Sequence, residues 1–136
     1  MRKNMERAMK NPYIAPGIMT PTAQIIHEVR LYFNTDLASL ALEGRQKHNI
    51  IIRKIFTFLL AYQNYLDTGN YNPTKIAFLL HLDHSSIVYY IKNIHHITLN
   101  KDIERHLMIL CNYLDIPFDH LKQTLYEIEL RTRRNN

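Results

Sequence analysis

Glycine and proline are scarce in this chain, three and five among 136 residues, and tryptophan is absent. So few turn formers, beside long apolar-periodic runs, leave little to punctuate a series of short strands and point to an all-α chain. A single cysteine, Cys111, excludes an internal disulfide, and a reducing interior is its natural compartment. Leu110 and Leu114 beside it suggest a packed thiol rather than a nucleophile. No apolar run is long enough for a membrane span, and the N-terminus lacks the apolar segment of a signal peptide, so a cytoplasmic protein is expected. Without G-x-x-x-x-G-K-[ST] the chain has no phosphate cradle, and no nucleotide is expected. His81, His84, His95, His96 and His106 do not form H-E-x-x-H or any Cys/His ligand spacing, so no metal or other cofactor is expected. Asp83, His84 and Ser85 are neighbours on one helix and cannot adopt the relay geometry of a Ser-His-acid site. The expectation is a protein that is not an enzyme.

What remains is a basic chain long enough for one domain with a real core. Its formal net charge is +5 and its pI about 9.4, which suits a polyanionic partner. The stretch 72–98 organises it. Pro73 belongs in a first helical turn, where its missing N–H is not needed. Ile76, Ala77, Phe78, Leu79, Leu80 and Leu82 make that helix apolar nearly all round, hence buried. Asp83 then suits an N-cap whose carboxylate accepts from the next turn. Winding the following helix at about 100° per residue puts Ile87, Val88, Ile91, Ile94 and Thr98 on one side. Ser85, Ser86, Tyr89, Lys92, Asn93 and His96 fall on the other. Beyond the cap that face has no carboxylate, whereas solvated helix faces usually mix Glu with Lys. A short helix, a turn and a second helix with such a face form a helix-turn-helix able to enter a major groove.

The run Asp83-His84-Ser85-Ser86-Ile87-Val88, followed by Lys92-Asn93-Ile94, resembles the D-H-T-T-V…R-K-I signature of the DNA-binding domain of the bacterial replication initiator DnaA. Pro73 stands at the offset of the proline in that family's L-P-E-I-G segment. Upstream, Ile25-Ile26, Val29, Tyr32-Phe33-Asn34 and Leu40 align with the family's first helix and the start of the basic loop. Arg53-Lys54-Ile55 with Phe58-Leu59-Leu60-Ala61 is similar to its R-Q-I-A-M-Y-L-A helix. The likeness spans about residues 20–98. It implies that Asp83, His84 and Ser85 contact base edges, and that Ser86, Tyr89, Lys92 and Asn93 hold phosphates or read flanking pairs. It also places Lys47, with Arg45 beside it, at the minor groove or its backbone. Three positions depart from the family: Glu43 and Gly44 replace basic loop residues, and Leu82 replaces an arginine.

The rest of the chain frames this unit. Residues 1–18, with Arg2, Lys3, Arg7 and Lys10, read as a basic arm or a short frayed helix. A helix should begin at Thr20-Pro21 and bury Ile25, Ile26, Val29, Tyr32 and Phe33. A brief helical turn over 35–43 tucks in Leu37, Leu40 and Leu42. Residues 45–49 form a basic loop, and a second long helix covers 50–66. Arg53 and Lys54 near its start oppose the helix dipole, for which either a phosphate or simple solvation accounts. The domain proper is expected over 19–99, with 100–136 as a helical extension packed on it. There Asn100 caps a helix burying Ile103, Leu107, Leu110, Cys111 and Leu114. Pro117 begins a last one with Phe118, Leu121, Leu125, Ile128 and Tyr126 inward. Either closure of the core or a homodimer seam fits these two helices.

The expected function is therefore recognition of double-stranded DNA, as a regulator, a replication accessory or a phage-encoded factor acting at the nucleoid or in an infected bacterial cell. The rival is a protein–protein interaction module on the same fold, an adaptor or inhibitor docking through Tyr89 and Tyr90.

Overall fold

The computed structural model describes residues 19–42, 47–94 and 100–134, with the backbone alone at 41–42 and 47–48. The basic arm, Glu43, Gly44, Arg45, His95, His96 and Thr98 lie outside the described residues. Seven helices and no strand occur among those described: α1 Pro21–Phe33, α2 Leu37–Leu42, α3 Lys47–Thr68, α4 Pro73–Leu80, α5 His84–Lys92, α6 Lys101–Leu114 and α7 Phe118–Arg134.

The helix starts follow local chemistry. Thr20 caps α1 by accepting from the Ala23 amide, with Pro21 in the first turn. Asn72 does the same for α4 through the Lys75 amide, with Pro73 behind it. Asn100 accepts from the amides of Asp102 and Ile103 to open α6. At α2 the Asp36 carboxylate takes both the amide and the hydroxyl of Ser39, at 2.7 and 3.1 Å. The stops reflect the shortage of glycine. Asn34, His81 and Asp115 end α1, α4 and α6 in the left-handed region, at φ of 50°, 57° and 57°. Among the described residues, the one glycine at positive φ follows α3, Gly69 at 77°, where a side chain would be strained.

A long α3 runs through the centre and is buried from Ile55 to Tyr62. It packs against α1, α4, α5, α6 and α7, so every other long element leans on it. One apolar cluster extends from Ile25 and Val29 through Ile87 and Ile91 to Leu125 and Ile128. The last two helices therefore close the core. All five residues expected to be buried on α6 are buried, and on α7 Leu121, Leu125 and Ile128 are, joined by Thr124. Tyr126 differs: it stands 41% exposed, on the flank of α7 turned away from the cluster. Two polar links tie this pair to the earlier helices. The Tyr32 hydroxyl is hydrogen-bonded to His106 Nδ1 at 2.8 Å, and Tyr62 to His120 Nδ1 at 2.7 Å.

Other expectations shift with the packing. Helix α3 starts at Lys47, so Lys47, His48 and Asn49 are helical rather than part of a loop. No proline or glycine between Arg45 and Leu66 stops the helix from extending backward. Cys111 is buried among leucines, and burial pushes its thiol up to about 12, so it is a packed thiol at neutral pH. No helix among the described residues is long and apolar enough to cross a membrane.

Candidate nucleic-acid interface

Helices α4 and α5 meet at a tight turn built on His81. The Leu82 amide donates to the Ala77 carbonyl at 2.9 Å, closing the end of α4 within the three residues that separate it from α5. Ile76, Ala77 and Leu80 of α4 and Ile87, Tyr90 and Ile91 of α5 are buried beneath this turn. Both helices rest on α3, and α5 also rests on α7. The start of α5 is left facing outward.

Asp83 stands at the N-cap in extended backbone, and its carbonyl accepts from the amides of Ser86 and Ile87. Its carboxylate makes no capping bond, contrary to the sequence expectation. The backbone carbonyl closes the first turn without it, so the carboxylate remains at the surface. His84 and Ser85 are exposed, Ser86 is half-buried, and Tyr89 is 58% exposed. Between residues 73 and 94 Asp83 is the single acid, against Lys75 and Lys92. Aspartate offers acceptors that match a cytosine amine, and histidine and serine carry groups that reach base acceptors or a thymine methyl.

Further along α5 the expected face narrows. The helix ends at Lys92, and the Asn93 side chain folds back to donate to the Tyr89 carbonyl at 2.8 Å. Asn93 thus closes its own helix rather than standing out as a reader. Lys92 is half-buried, and its carbonyl accepts from Arg133 of α7. Tyr90, placed beside Tyr89 on a docking face by the rival reading, is buried at 7%, whereas Val88 is half-exposed. The two lie on opposite flanks of the Ile87–Ile91 stripe, and neighbouring helices decide which flank is covered. Helix α4 is not apolar-buried all round, because Phe78 is 81% exposed. An eight-residue helix seated on two neighbours keeps one side in solvent.

The flanking cations divide. Arg53 reaches from α3 to the end of α2, where Nε and Nη2 both donate to the Leu40 carbonyl at 3.2 and 2.7 Å. That fork ties the short helix to α3 and engages the Nε–Nη2 side of the guanidinium. Lys54 is half-buried, and desolvation lowers its pKa. Pro73, half-buried, sets the first turn of α4. Arg45 lies outside the described residues, and Lys47 is described only as the first residue of α3. Sequence reasoning missed the αL turn at His81 and the outward Phe78. Among the described residues, no group of three or more His, Cys, Asp or Glu side chains is arranged to hold a metal ion. No family model, curated protein or solved structure matches the chain.

Proposed function

We propose that this protein binds double-stranded DNA and reads the major groove with the first two turns of α5. The observation that carries this reading is the α4–turn–α5 unit. Its inner faces are sealed into the core, while Asp83, His84, Ser85 and Tyr89 stand outward from a stretch, 73–94, that contains one acid. In this reading Asp83, His84 and Ser85 touch base edges, and Ser86, Tyr89 and Lys92 approach phosphates or flanking pairs. Pro73, Lys47 and Arg45 would line the approach, following the DnaA-like pattern. The protein would act without nucleotide, metal or catalysis of its own, as a regulator, a replication accessory or a phage-encoded factor in the cytoplasm.

One observation favours a second reading. Phe78 and Tyr89, exposed on the two helices of the same unit, are the large apolar and aromatic groups that a protein-docking surface uses. Fluorescence anisotropy separates the two. The protein is titrated into a duplex carrying a DnaA box and into a scrambled duplex of equal length, at low and near-physiological salt. Tighter binding to the box that persists with salt supports a sequence reader. Equal, salt-sensitive binding supports a DNA binder with another site, to be found by selection from a random pool. No binding at low salt removes the DNA reading and leaves the interaction module.

A further inference from the structure

The last turn of α7 carries Arg131, Arg133 and Arg134, which by sequence do no more than end a helix favourably. The structure gives two of them long-range partners at opposite ends of the α4–α5 unit. Arg131 Nη1 donates to the Gly69 carbonyl at 3.3 Å, in the turn just before α4, and its guanidinium lies over the Tyr65 ring. Arg133 Nη2 donates to the Lys92 carbonyl at 2.8 Å, in the last turn of α5. The entry and the exit of the unit are therefore both held from one helical turn.

The Arg133 contact is built rather than incidental. Its Nε donates to Glu129 Oε1 at 2.8 Å, one turn earlier on α7, and the Glu129 side chain is only 15% exposed. Nε is fixed by Glu129 while Nη2 is aimed at α5. The acceptor is a helix C-terminal carbonyl, which lacks an intrahelical amide and carries the negative end of the dipole. Asn93 covers the adjoining carbonyls, its amide on Tyr90 and its side chain on Tyr89. A lysine at 133 would preserve the charge but could not serve two acceptors in fixed directions.

We infer that the last turn of α7 is a positioning element for the reading helix: Arg133, braced by Glu129, and Arg131 set the angle at which α5 presents Asp83, His84 and Ser85. This rests on the DNA reading proposed above. Base contacts tolerate little misplacement, so sequence discrimination depends on arginines that touch no base, whereas non-specific attraction depends on charge alone.

The test uses the full chain as wild type, Arg133→Ala, Arg133→Lys and Arg134→Ala, the last removing one charge from an exposed neighbour. Each is titrated with the duplex that wild type selects from a random pool and with its scrambled counterpart. Backbone amide exchange over 89–93 is followed in the free proteins, with circular dichroism to confirm folding at the assay temperature. The expected result is a loss of about ten-fold in the selected-to-scrambled ratio for both Arg133 variants. Arg134→Ala keeps the wild-type ratio. Binding to scrambled DNA falls alike in Arg133→Ala and Arg134→Ala and is retained in Arg133→Lys. Exchange over 89–93 quickens in both Arg133 variants. Full discrimination in Arg133→Lys, or equal ratios in Arg133→Ala and Arg134→Ala, overturns the positioning role while leaving DNA reading intact. Unchanged exchange overturns it equally. A wild-type protein that selects no duplex overturns the DNA reading and this inference with it.

Discussion

The outer faces of the C-terminal helices and the outer face of α5 are built from the same kinds of residue to opposite ends. On α6, Lys101 pairs with Glu104 and Arg105 with Asp102; on α7, Lys122 pairs with Asp119. Acids and bases alternate at helical spacing, as on a surface whose partner is water. From His84 to the end of α5 there is no acid to make such a pair, and the polar groups are hydroxyls, an imidazole and one lysine. Both faces belong to amphipathic helices seated on one core, so amphipathicity does not separate them. What separates them is the acids, interleaved with the bases on one face and missing after Asp83 on the other. Helix α5 carries its one lysine beside neutral hydrogen-bonding groups, which is the feature the DNA proposal rests on.

The comparison breaks at its base if the C-terminal pair is not part of the core, which sets the largest expected effect. Leu125→Ala removes a fully buried side chain and should cost about 2–5 kcal/mol in a single cooperative urea transition. A loss under about 1 kcal/mol, or a second transition, would make the pair a separate unit. His84→Ala sharpens the other side. It should leave urea stability unchanged yet cost about 1–3 kcal/mol of discrimination between selected and scrambled duplexes, read by anisotropy. Equal losses on both duplexes would sink the base-reading role of His84.

Lys92→Ala should weaken binding to every duplex and lower the salt slope by about one unit. Lys101→Ala, which removes the same charge from an ion-paired position on α6, should leave the slope as it was; identical slopes for the two variants would erase the distinction between the faces. The smallest effect concerns Asp36, whose carboxyl is held below its ordinary range by the Ser39 amide and then the Ser39 hydroxyl. Because the folded-state value is the lower one, its contribution is complete above the unfolded carboxylate pKa. It is lost as pH falls through the folded value. Asp36→Asn should therefore shrink the gain in Tm that wild type shows on rising from acid pH, and parallel Tm–pH curves would remove that role.

Much of the scaffold was legible because its causes are local. The caps at Thr20, Asn100 and the prolines at 21 and 73 act within one turn. The stripe from Ile103 to Leu114 repeats at helical spacing, so α6 could be read face by face without its neighbours. The start of α5 at Asp83 was legible as well, although its carboxylate does not cap. Elsewhere periodicity named a stripe and not its edges. Tyr90 and Val88 flank the same centre, and Phe78 sits in a run too uniformly apolar to show which side faces water.

The sequence by itself determined an all-α chain, the approximate order of its helices, and the acid-poor face that makes α5 a candidate reader. Composition, caps and period act through neighbours a few residues apart, and those neighbours are written in the chain. Only the tertiary structure decided that the last two helices close the core. It also gave Arg53 to the Leu40 carbonyl, paired His106 with Tyr32 and His120 with Tyr62, and held α5 through Arg133. These partners lie 13 to 74 residues apart. Two of the acceptors, at Leu40 and Lys92, are backbone carbonyls, which every residue possesses, so no residue type marks them in advance.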